Sequence, residues 1–412
     1  MLKFREKLSY SWIVVFVFLI VNIILEGTRL SFGVFFKSIE SYFDLTRAAT
    51  SAVISAYMLF GAVFSILIGW ALDRYGTKVV VLLMGIFTGL GLFLTSQTNA
   101  PWQLFITYSF LYAVGTGAVY VATMSSISKL FTIRRGLALG ITGTGAGLGQ
   151  MLFAPFAAYL ISVFDWRIAY IILGAIAWLV IIPLTSLLRK ATSETGAFPE
   201  ATGPEATNTN YAGAVREEYD VQTKALSLRV VLKTTNFWLL IFTWLFHGFT
   251  TMLVITHLVP HATDVGIVAV EASTVLSLYG GALMIGGVLM GHFSDKIGGK
   301  ASIIICALLR AVAMVWLIFS QDLWMFYLFA LVYGFATSGI AICLAALASD
   351  VFGLRRIGVI MGVLSIGFAV GSAIGPAIGG LIFDVTSSYF IAFLLGAVAA
   401  LMVAVLTLAV RR

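Results

Sequence analysis

Residues 69–78 read GWALDRYGTK, and residues 291–300, about 221 positions later, read GHFSDKIGGK. Each copy follows one long apolar run and precedes another. Both copies keep the pattern Gly-x-x-x-Asp-basic-x-Gly-x-Lys, in which a short charged turn joins two apolar segments. A turn of this kind in the same place in both parts of the chain predicts two halves of the same architecture.

Other matches occur at the same offset. Residues 51–57 (SAVISAY) correspond to residues 273–279 (STVLSLY), and Pro155 corresponds to Pro376. Tyr112 corresponds to Tyr333. The basic pair Arg134-Arg135 recurs as Arg355-Arg356. Several independent matches at one spacing indicate an internal repeat.

The composition of the chain excludes most protein classes. Of the 412 residues, 60% are hydrophobic and only 10% are charged, whereas a soluble domain carries about 25% charged residues. This excludes a soluble enzyme, a disulfide-rich secreted module and a disordered chain. The two cysteines, Cys306 and Cys343, lie inside apolar runs, so we expect no structural disulfide. The chain is predicted to be a polytopic membrane protein.

Twelve apolar runs follow one another along the chain, and nearly all are long enough to cross a hydrocarbon core of about 30 Å as helices. This predicts an all-α membrane protein with an N-terminal six-helix bundle at residues 1–188, a polar cytoplasmic linker at 189–235 and a C-terminal six-helix bundle at 236–412. The runs cover approximately residues 11–36, 48–72, 79–97, 102–124, 136–161, 168–188, 236–258, 271–293, 301–319, 323–348, 357–381 and 388–410.

The distribution of basic residues predicts the orientation. With the N-terminus inside, 20 of the 25 Lys and Arg residues lie on the cytoplasmic side, three lie outside, and Arg29 and Arg310 lie within spans. This asymmetry follows the positive-inside rule. It also explains the net charge of +7 without nucleic acid as a partner. Both termini are therefore expected in the cytoplasm.

The Gly-x-x-x-Asp-Arg-x-Gly-x-Lys loop resembles that of the major facilitator superfamily. Residues 31–37 (SFGVFFK), 129–140 (KLFTIRRGLALG) and 164–167 (FDWR) also resemble bacterial members of its monocarboxylate porter and oxalate/formate antiporter group. The resemblance implies two six-helix bundles related by a pseudo-two-fold axis, with the solute bound between them. In one respect the chain differs, because Leu283 and Gly287 stand where that family has an aspartate and an arginine in the eighth span.

Three charges within the spans, Glu26, Arg29 and Arg310, are candidates for function, because charges inside a bilayer are costly unless paired or hydrated. Arg29 is the candidate anion anchor and Glu26 a titrating group; the alternative is a structural ion pair, since the two are three positions apart on one helix. Glu26 corresponds to His247 at the repeat offset, so these two are predicted to couple protons. A neutral, hydrogen-bonded His247 is the alternative.

The role of Arg310 stays open, with a bond to helix carbonyls or to a structural partner as the plainer interpretation. His257 and His261 are expected to be solvated at the outer end of the seventh span. Tyrosines related by the repeat are candidate substrate contacts, with packing or an interfacial position as the alternative. These candidates are Tyr57, Tyr279, Tyr112, Tyr333 and Tyr120.

The two loop acids are predicted to gate the cytoplasmic side. The resemblance implies that Asp73 and Asp295 meet a helix N-terminus of the opposite half, where the free N–H groups favour a carboxylate. A solvated loop position is the alternative. The neighbouring basic residues belong to the same predicted gate: Arg74, Lys296, Arg134, Arg135, Arg355 and Arg356.

The sequence therefore predicts a secondary transporter of a small organic anion, most simply a monocarboxylate, coupled to protons. The alternatives are an exchanger or exporter of a neutral, zwitterionic or amphipathic compound, and a solute sensor that resembles a transporter. No Walker lysine motif and no Cys/His cluster occur, so neither a nucleotide, a cofactor nor a metal is expected. We expect a monomer in the inner membrane of a prokaryotic cell.

Overall fold

The structure is a computed structural model that describes residues 2–131, 135–188, 231–352 and 357–410. Within these ranges all regular structure is helical. Residues 189–230, most of the predicted linker, lie outside them, as do the basic residues Arg134, Arg355 and Arg356. Eleven helices in the described part are long and apolar enough to cross a membrane.

The first half contains the helices α1 to α8. A π-helical segment at Phe105–Tyr112 lies between α4 and α5. The bounds are α1 Leu2–Leu30, α2 Phe32–Phe43, α3 Arg47–Ser96, α4 Pro101–Leu104, α5 Ala113–Thr116, α6 Val119–Leu130, α7 Arg135–Val163 and α8 Trp166–Leu184.

The second half contains six long helices, one for each predicted span. The bounds are α9 Thr235–Asp264, α10 Ala269–Ile297, α11 Gly299–Ile318, α12 Leu323–Phe352, α13 Ile357–Thr386 and α14 Phe390–Ala409. The shortest, α11 and α14, have 20 residues each, which span about 30 Å at 1.5 Å per residue.

The two copies of the repeated loop have the same backbone feature. Gly76 has φ 79° and interrupts the 50-residue helix α3, and Gly298 has φ 85° and separates α10 from α11. A positive φ is open to glycine at little cost and strained for other residues. Each glycine therefore turns the chain at the end of one apolar segment and starts the next.

The two halves meet through α3 against α13, α7 against α10, and α2 against α9. We call the end of the bundle near Leu187, Thr235 and Gly298 the linker end, and the opposite end, near Asp264 and Arg47, the far end. In the middle of the bundle the backbones of the two halves come close together: a Cβ added to Gly280 of α10 would lie 2.5 Å from the carbonyl oxygen of Gly147 of α7.

Close contact between the halves continues toward the far end. A Cβ on Gly33 would lie 2.6 Å from the carbonyl oxygen of Ile255, and one on Gly380 would lie 2.5 Å from that of Arg47. At the linker end, by contrast, a Cβ on Gly140 or Gly362 would meet no atom of the described residues within 4 Å. Among these residues, the halves are packed backbone to backbone from the middle to the far end, and α7 and α13 are less closely packed at the linker end.

Candidate functional site

Two groups of polar residues are candidates for the site. The first, the central site, comprises Glu26 and Arg29 of α1 together with His247 of α9 and Arg310 of α11; the buried Tyr279 of α10 lies within electrostatic range of both arginines. The second, the far-end lock, joins the two halves where α2, α3, α9 and α13 end or begin. Each is described in turn.

Glu26 and Arg29 form an ion pair on α1. The Nε of Arg29 donates to Oε2 of Glu26 at 2.9 Å, and its Nη2 contacts the same oxygen. The side chains are 20% and 12% exposed, so neither is sealed from the space beside it. The pair is therefore internally neutral and only partly buried.

Three tyrosines of the first half pack around one another beside this pair. The ring centroids of Tyr108 and Tyr112 are 4.9 Å apart, and those of Tyr57 and Tyr112 are 5.5 Å apart. The Tyr112 hydroxyl lies 2.8 Å from that of Thr28, and the Tyr57 hydroxyl lies 2.6 Å from that of Thr116. Two of the predicted contacts, Tyr57 and Tyr112, are thus buried and share one cluster.

The π-helical segment places Tyr108 and Tyr112 in this cluster. Its wider turn is a geometry that proteins use chiefly at functional sites. Further along the same helical region, Tyr120 is 65% exposed and does not join the cluster. Its proposed contact with substrate stays a prediction.

Arg310 is fully buried in the second half, at 0% exposure. Its Nη1 contacts Nδ1 of His247 at 2.6 Å, and its Nη2 donates to the Tyr333 hydroxyl at 2.6 Å and to that of Thr251 at 3.2 Å. The hydroxyl of Thr250 is a further partner. The Tyr333 ring lies 4.7 Å from the guanidinium carbon, within the range of a cation–π contact.

The partners of Arg310 are all neutral. The ion pairs of the described residues join Arg29 to Glu26, and Lys37 and Arg47 to acids at the far end, and none includes Arg310. Its Nε atom is buried without a hydrogen-bond partner. An unpaired buried charge costs several kcal/mol. Arg310 is therefore a buried cation without an acidic partner among the described residues.

Tyr279 connects the two parts of the central site. It is buried and lies within electrostatic range of both Arg29 and Arg310. Its hydroxyl makes no hydrogen bond of normal geometry, and the nearby Thr337 hydroxyl donates instead to the Tyr333 carbonyl at 2.7 Å. Among the described residues, the buried Tyr279 hydroxyl thus makes no hydrogen bond of normal geometry.

The far-end lock centres on Arg47, at the first residue of α3. Its Nη1 and Nη2 donate to the two carboxylate oxygens of Asp264 at 2.7 Å and 2.9 Å. Lys37 contacts the same carboxylate at 2.6 Å, and Glu40 accepts from Nε of Arg47 at 3.2 Å. Because Asp264 belongs to the second half and the other three to the first, these bonds tie the halves together.

Asp384 of α13 adds a second tie at the same end. Its carboxylate accepts the backbone N–H groups of Arg47 at 2.8 Å and of Ala48 at 2.9 Å. These are the first N–H groups of α3, which have no partner inside the helix, and the helix dipole also favours a negative charge there. The far end is thus closed by a bidentate ion pair and a helix N-terminus bound to a carboxylate.

The expected solvation of His257 and His261 is wrong. Helix α9 continues to Asp264, so both lie inside it, and His257 is fully buried. Nδ1 of His257 lies 3.1 Å from the Tyr389 hydroxyl and Nε2 lies 2.9 Å from the carbonyl oxygen of Pro376. His261 packs 5.0 Å from the ring of Phe393. The sequence predicts an end of this span near residue 258, because polar residues occupy the last turns of the helix.

Tyr389, just before α14, completes the lock. Its hydroxyl accepts from Nη1 of Arg47 at 2.5 Å. Burial raises the pKa of this hydroxyl above its ordinary value, so it stays protonated and can donate to a neighbouring acceptor. Tyr389 therefore links the charged pair to His257.

The predicted cytoplasmic gate is only partly described. Asp73 and Arg74 are exposed at the linker end, where the guanidinium carbon of Arg74 lies 5.4 Å from the ring of Trp70; Lys296 is exposed as well. The side chains of Asp295 and Arg135, and residues 132–134 and 353–356, lie outside the described part. The gate stays a prediction.

The sequence alone did not reveal the far-end lock or the surroundings of Arg310. Lys37, Arg47, Asp264 and Asp384 each stand where an apolar run begins or ends, which was the available signal. Arg310 is a candidate in the sequence as an intramembrane charge, but the sequence does not identify its partners. In the described residues no group of three metal-ligating side chains occurs.

Comparison with known proteins gives three results. The sequence model of the Major Facilitator Superfamily matches residues 12–267 and 246–412. Monocarboxylate transporter 12 of Homo sapiens is 24% identical over 94% of this chain and 78% of its own length. The uncharacterized MFS-type transporter YcxA of Bacillus subtilis (strain 168) is 25% identical over 93% of this chain and 91% of its own.

Two solved structures share the fold. A bacterial homolog of the human lysosomal transporter Spinster, in an inward-facing and occupied conformation, has a TM-score of 0.76 at 15% identity and covers 97% of each chain. A D-xylose-proton symporter has a TM-score of 0.75 at 15% identity and covers 98% of each chain. At this identity the likeness is one of fold.

Proposed function

The chain belongs to the Major Facilitator Superfamily, and from this membership we propose that it carries a small organic anion, most simply a monocarboxylate, by alternating access. It is a transporter and not an enzyme. Counting α3 as two crossings, one on each side of Gly76, gives twelve spans in two six-helix halves. The solute site of such a fold lies between the halves near the midplane.

The charge of the central site is the observation that carries the choice of an anion. Glu26 and Arg29 neutralise each other, and His247 accepts a bond from Arg310 in its neutral form, so the buried site has a net charge of +1 that resides on Arg310. A solute with one negative charge balances it. Arg29 and the hydroxyls of Tyr279 and Tyr333 would then bind the rest of the solute.

The named relatives support the same class of solute. Besides the human protein, monocarboxylate transporter 13 of Rattus norvegicus is 26% identical over 93% of this chain. Monocarboxylate transport is the function in the names of those proteins, and for this chain it is our proposal. Arg310 supplies from α11 the positive charge that Leu283 and Gly287 of α10 do not.

A zwitterion is the second candidate. The adjacent Glu26 and Arg29 present one charge of each sign at the edge of the same space, as recognition of an ammonium and a carboxylate on one molecule requires. The two candidates differ in net charge, so the same uptake assay separates them.

We expect purified protein in liposomes to take up a radiolabelled monocarboxylate against its concentration gradient when the outside is made acidic. Glu26 and His247 are the proposed proton-coupling residues. Acetate, lactate, pyruvate and benzoate serve as anionic probes, and glycine and alanine as zwitterions. Accumulation at pH 6 outside and pH 7.5 inside should exceed that without a gradient by about tenfold or more, because proton entry down a 1.5-unit gradient drives it.

Uptake that is saturable but indifferent to the pH gradient would exclude proton symport and leave facilitated exchange. Uptake of the amino acids without uptake of the monocarboxylates would indicate that the transported solute is a zwitterion and not an anion. Protein-free liposomes control for diffusion of the neutral acids through lipid.

The orientation follows from the basic residues. If the linker end is cytoplasmic, the far-end lock closes the outside in this structure, and release would take place toward the linker end. The proposed partner of this lock is the gate around Asp73 and Asp295, which would form when the inside closes. A bacterial inner membrane with both termini in the cytoplasm is the proposed location.

Asp73→Asn is expected to favour conformations open at the linker end, because an amide binds a helix N-terminus more weakly than a carboxylate does. The dipole contribution is about 0.5–1 kcal/mol, so the open population should rise about two- to fivefold. The readout is the rate at which a cysteine at Gly140 reacts with a maleimide, after Cys306 and Cys343 are replaced by serine.

Asp322→Asn is the matched control, because Asp322 is an exposed acid at the far end. Its reaction rate should equal that of the parent. A rate for Asp73→Asn equal to the parent rate would count against the gate.

A further inference from the structure

We propose that the substrate anion binds to Arg310 first and thereby releases His247 to take up a proton. One carboxylate and one proton then occupy the site together. The inference rests on the proposed function and assigns its coupling to one pair of side chains. It begins from the 2.6 Å contact between Nη1 of Arg310 and Nδ1 of His247.

This contact defines the state of the imidazole. Arg310 carries only donors and stays protonated in proteins, so Nδ1 of His247 must offer a lone pair. A protonated imidazole has none. His247 is therefore neutral in this structure, with its proton on Nε2, and it cannot take a second proton while Arg310 occupies Nδ1.

Among the described residues around His247, Arg310 is the charged neighbour. Arg310 comes from α11 and is the charged group that acts on the imidazole. From α12 the neutral Tyr333 hydroxyl shares the guanidinium. From α13 the ring of Phe368 lies 5.7 Å away, and on α9 itself the ring of Trp244 lies 6.0 Å away. None of these other neighbours gains or loses a proton near neutral pH.

Tyr333 holds the position that an entering carboxylate would take. Its hydroxyl accepts from Nη2 of Arg310 and donates to the carbonyl oxygen of Thr250 at 2.7 Å, while its ring covers the guanidinium. A carboxylate is a stronger acceptor than a hydroxyl or an imidazole and can accept two N–H groups at once. The anion would thus displace neutral partners, with Nε of Arg310 as a donor still free.

The proton balance follows from this exchange. When the carboxylate accepts the Nη1 hydrogen, the Nδ1 lone pair of His247 becomes available, and the negative charge of the anion offsets the repulsion from Arg310. The imidazole then binds one proton from the aqueous side. On release of the anion, Arg310 returns to Nδ1 and the proton must leave to the same side. Transport of one without the other is disfavoured at both steps.

The decisive measurement is the number of protons taken up when the carboxylate binds. Isothermal titration of the detergent-solubilised protein with the acid that is best transported in liposomes, at pH 7.5 in phosphate and in Tris, yields this number from the difference in binding enthalpy. The expected value for the native protein is about one. His247→Gln keeps an acceptor for Arg310 but cannot hold the proton. It should bind the acid within about tenfold of the native affinity with no proton uptake.

In liposomes His247→Gln should still exchange labelled for unlabelled acid but lose accumulation driven by a pH gradient. His292→Gln is the matched control, because His292 is exposed at the linker end, and it should keep both. His247→Asn, with a shorter acceptor, serves if the first variant does not fold. The number of protons taken up by the native protein is measured without any variant, so this result does not depend on whether a variant folds.

A native proton number near zero would overturn the proposal, as would proton uptake that persists in His247→Gln. Loss of acid binding in both folded variants would make His247 a binding residue and would also overturn it. If no acid binds or enters with the native protein, the proposed function fails and the inference with it. If the acid binds but the proton number is zero, only the inference fails.

Discussion

Arg310→Gln is expected to lose carboxylate binding by at least about 30-fold, equivalent to about 2 kcal/mol. The substitution removes the net charge of the central site, while glutamine still bonds to the neighbouring hydroxyls. A carboxylate that enters the site would then lose its hydration without gaining a cation. The measurement is direct binding of the transported acid to purified protein, with thermal unfolding as a check that the variant is folded.

Matched variants separate charge from position. Arg29→Gln also lowers the net charge by one and leaves Glu26 unpaired, so it should weaken carboxylate binding. The double variant Glu26→Gln with Arg29→Gln keeps the charge at +1 and should bind better than Arg29→Gln alone. If Arg310→Gln binds carboxylates with native affinity, the anion is bound elsewhere. If Arg29→Gln does so, Arg29 is not an anion anchor.

The second large effect is expected at the far end. Arg47→Met should shift the protein toward conformations open at that end by about 30-fold, because the substitution removes the bidentate bond to Asp264 and the bonds to Glu40 and Tyr389. Loss of a largely buried ionic partner costs about 2 kcal/mol or more. This free energy corresponds to a change of about 30-fold in the ratio of open to closed conformations.

The readout is a cysteine at Ser51, which is fully buried beneath the lock. An impermeant maleimide added from the outside should modify it about 30-fold faster in Arg47→Met than in the parent that lacks Cys306 and Cys343. Lys37→Met is the control: Lys37 contacts the same carboxylate but is 38% exposed, and exposed pairs contribute about 0–1 kcal/mol.

The charge exchange Arg47→Asp with Asp264→Arg should partly restore protection of the cysteine, since the ion pair can form in reverse. An unaltered rate of modification in Arg47→Met would mean that the backbone contacts near Gly380 and the carboxylate of Asp384 close the far end without Arg47.

The membrane class, the repeat and the positions of the long helices follow from local properties of the chain. An apolar run of 20 residues has few alternatives to a spanning helix in lipid, since each backbone polar group must be satisfied within it. The repeated loop likewise predicted a turn at residues 69–78 and 291–300, and in the structure Gly76 and Gly298 interrupt the helices there. The pairing of Glu26 with Arg29 was also foreseeable, because residues three positions apart on a helix are neighbours.

The remaining features depend on how the helices rotate and pack against one another, which a single chain does not reveal. His247 and Arg310 are 63 positions apart, and Arg47 and Asp264 are 217 positions apart. In the structure, α11 is oriented so that Arg310 lies against His247 of α9 and Tyr333 of α12. Composition, periodicity and the internal repeat therefore determined that this chain is a membrane protein of two related halves, and the resemblance to the superfamily predicted a transporter. The tertiary packing decided which of its few buried charges is left for a solute, because a charge is paired or unpaired only with respect to neighbours that distant segments bring to it.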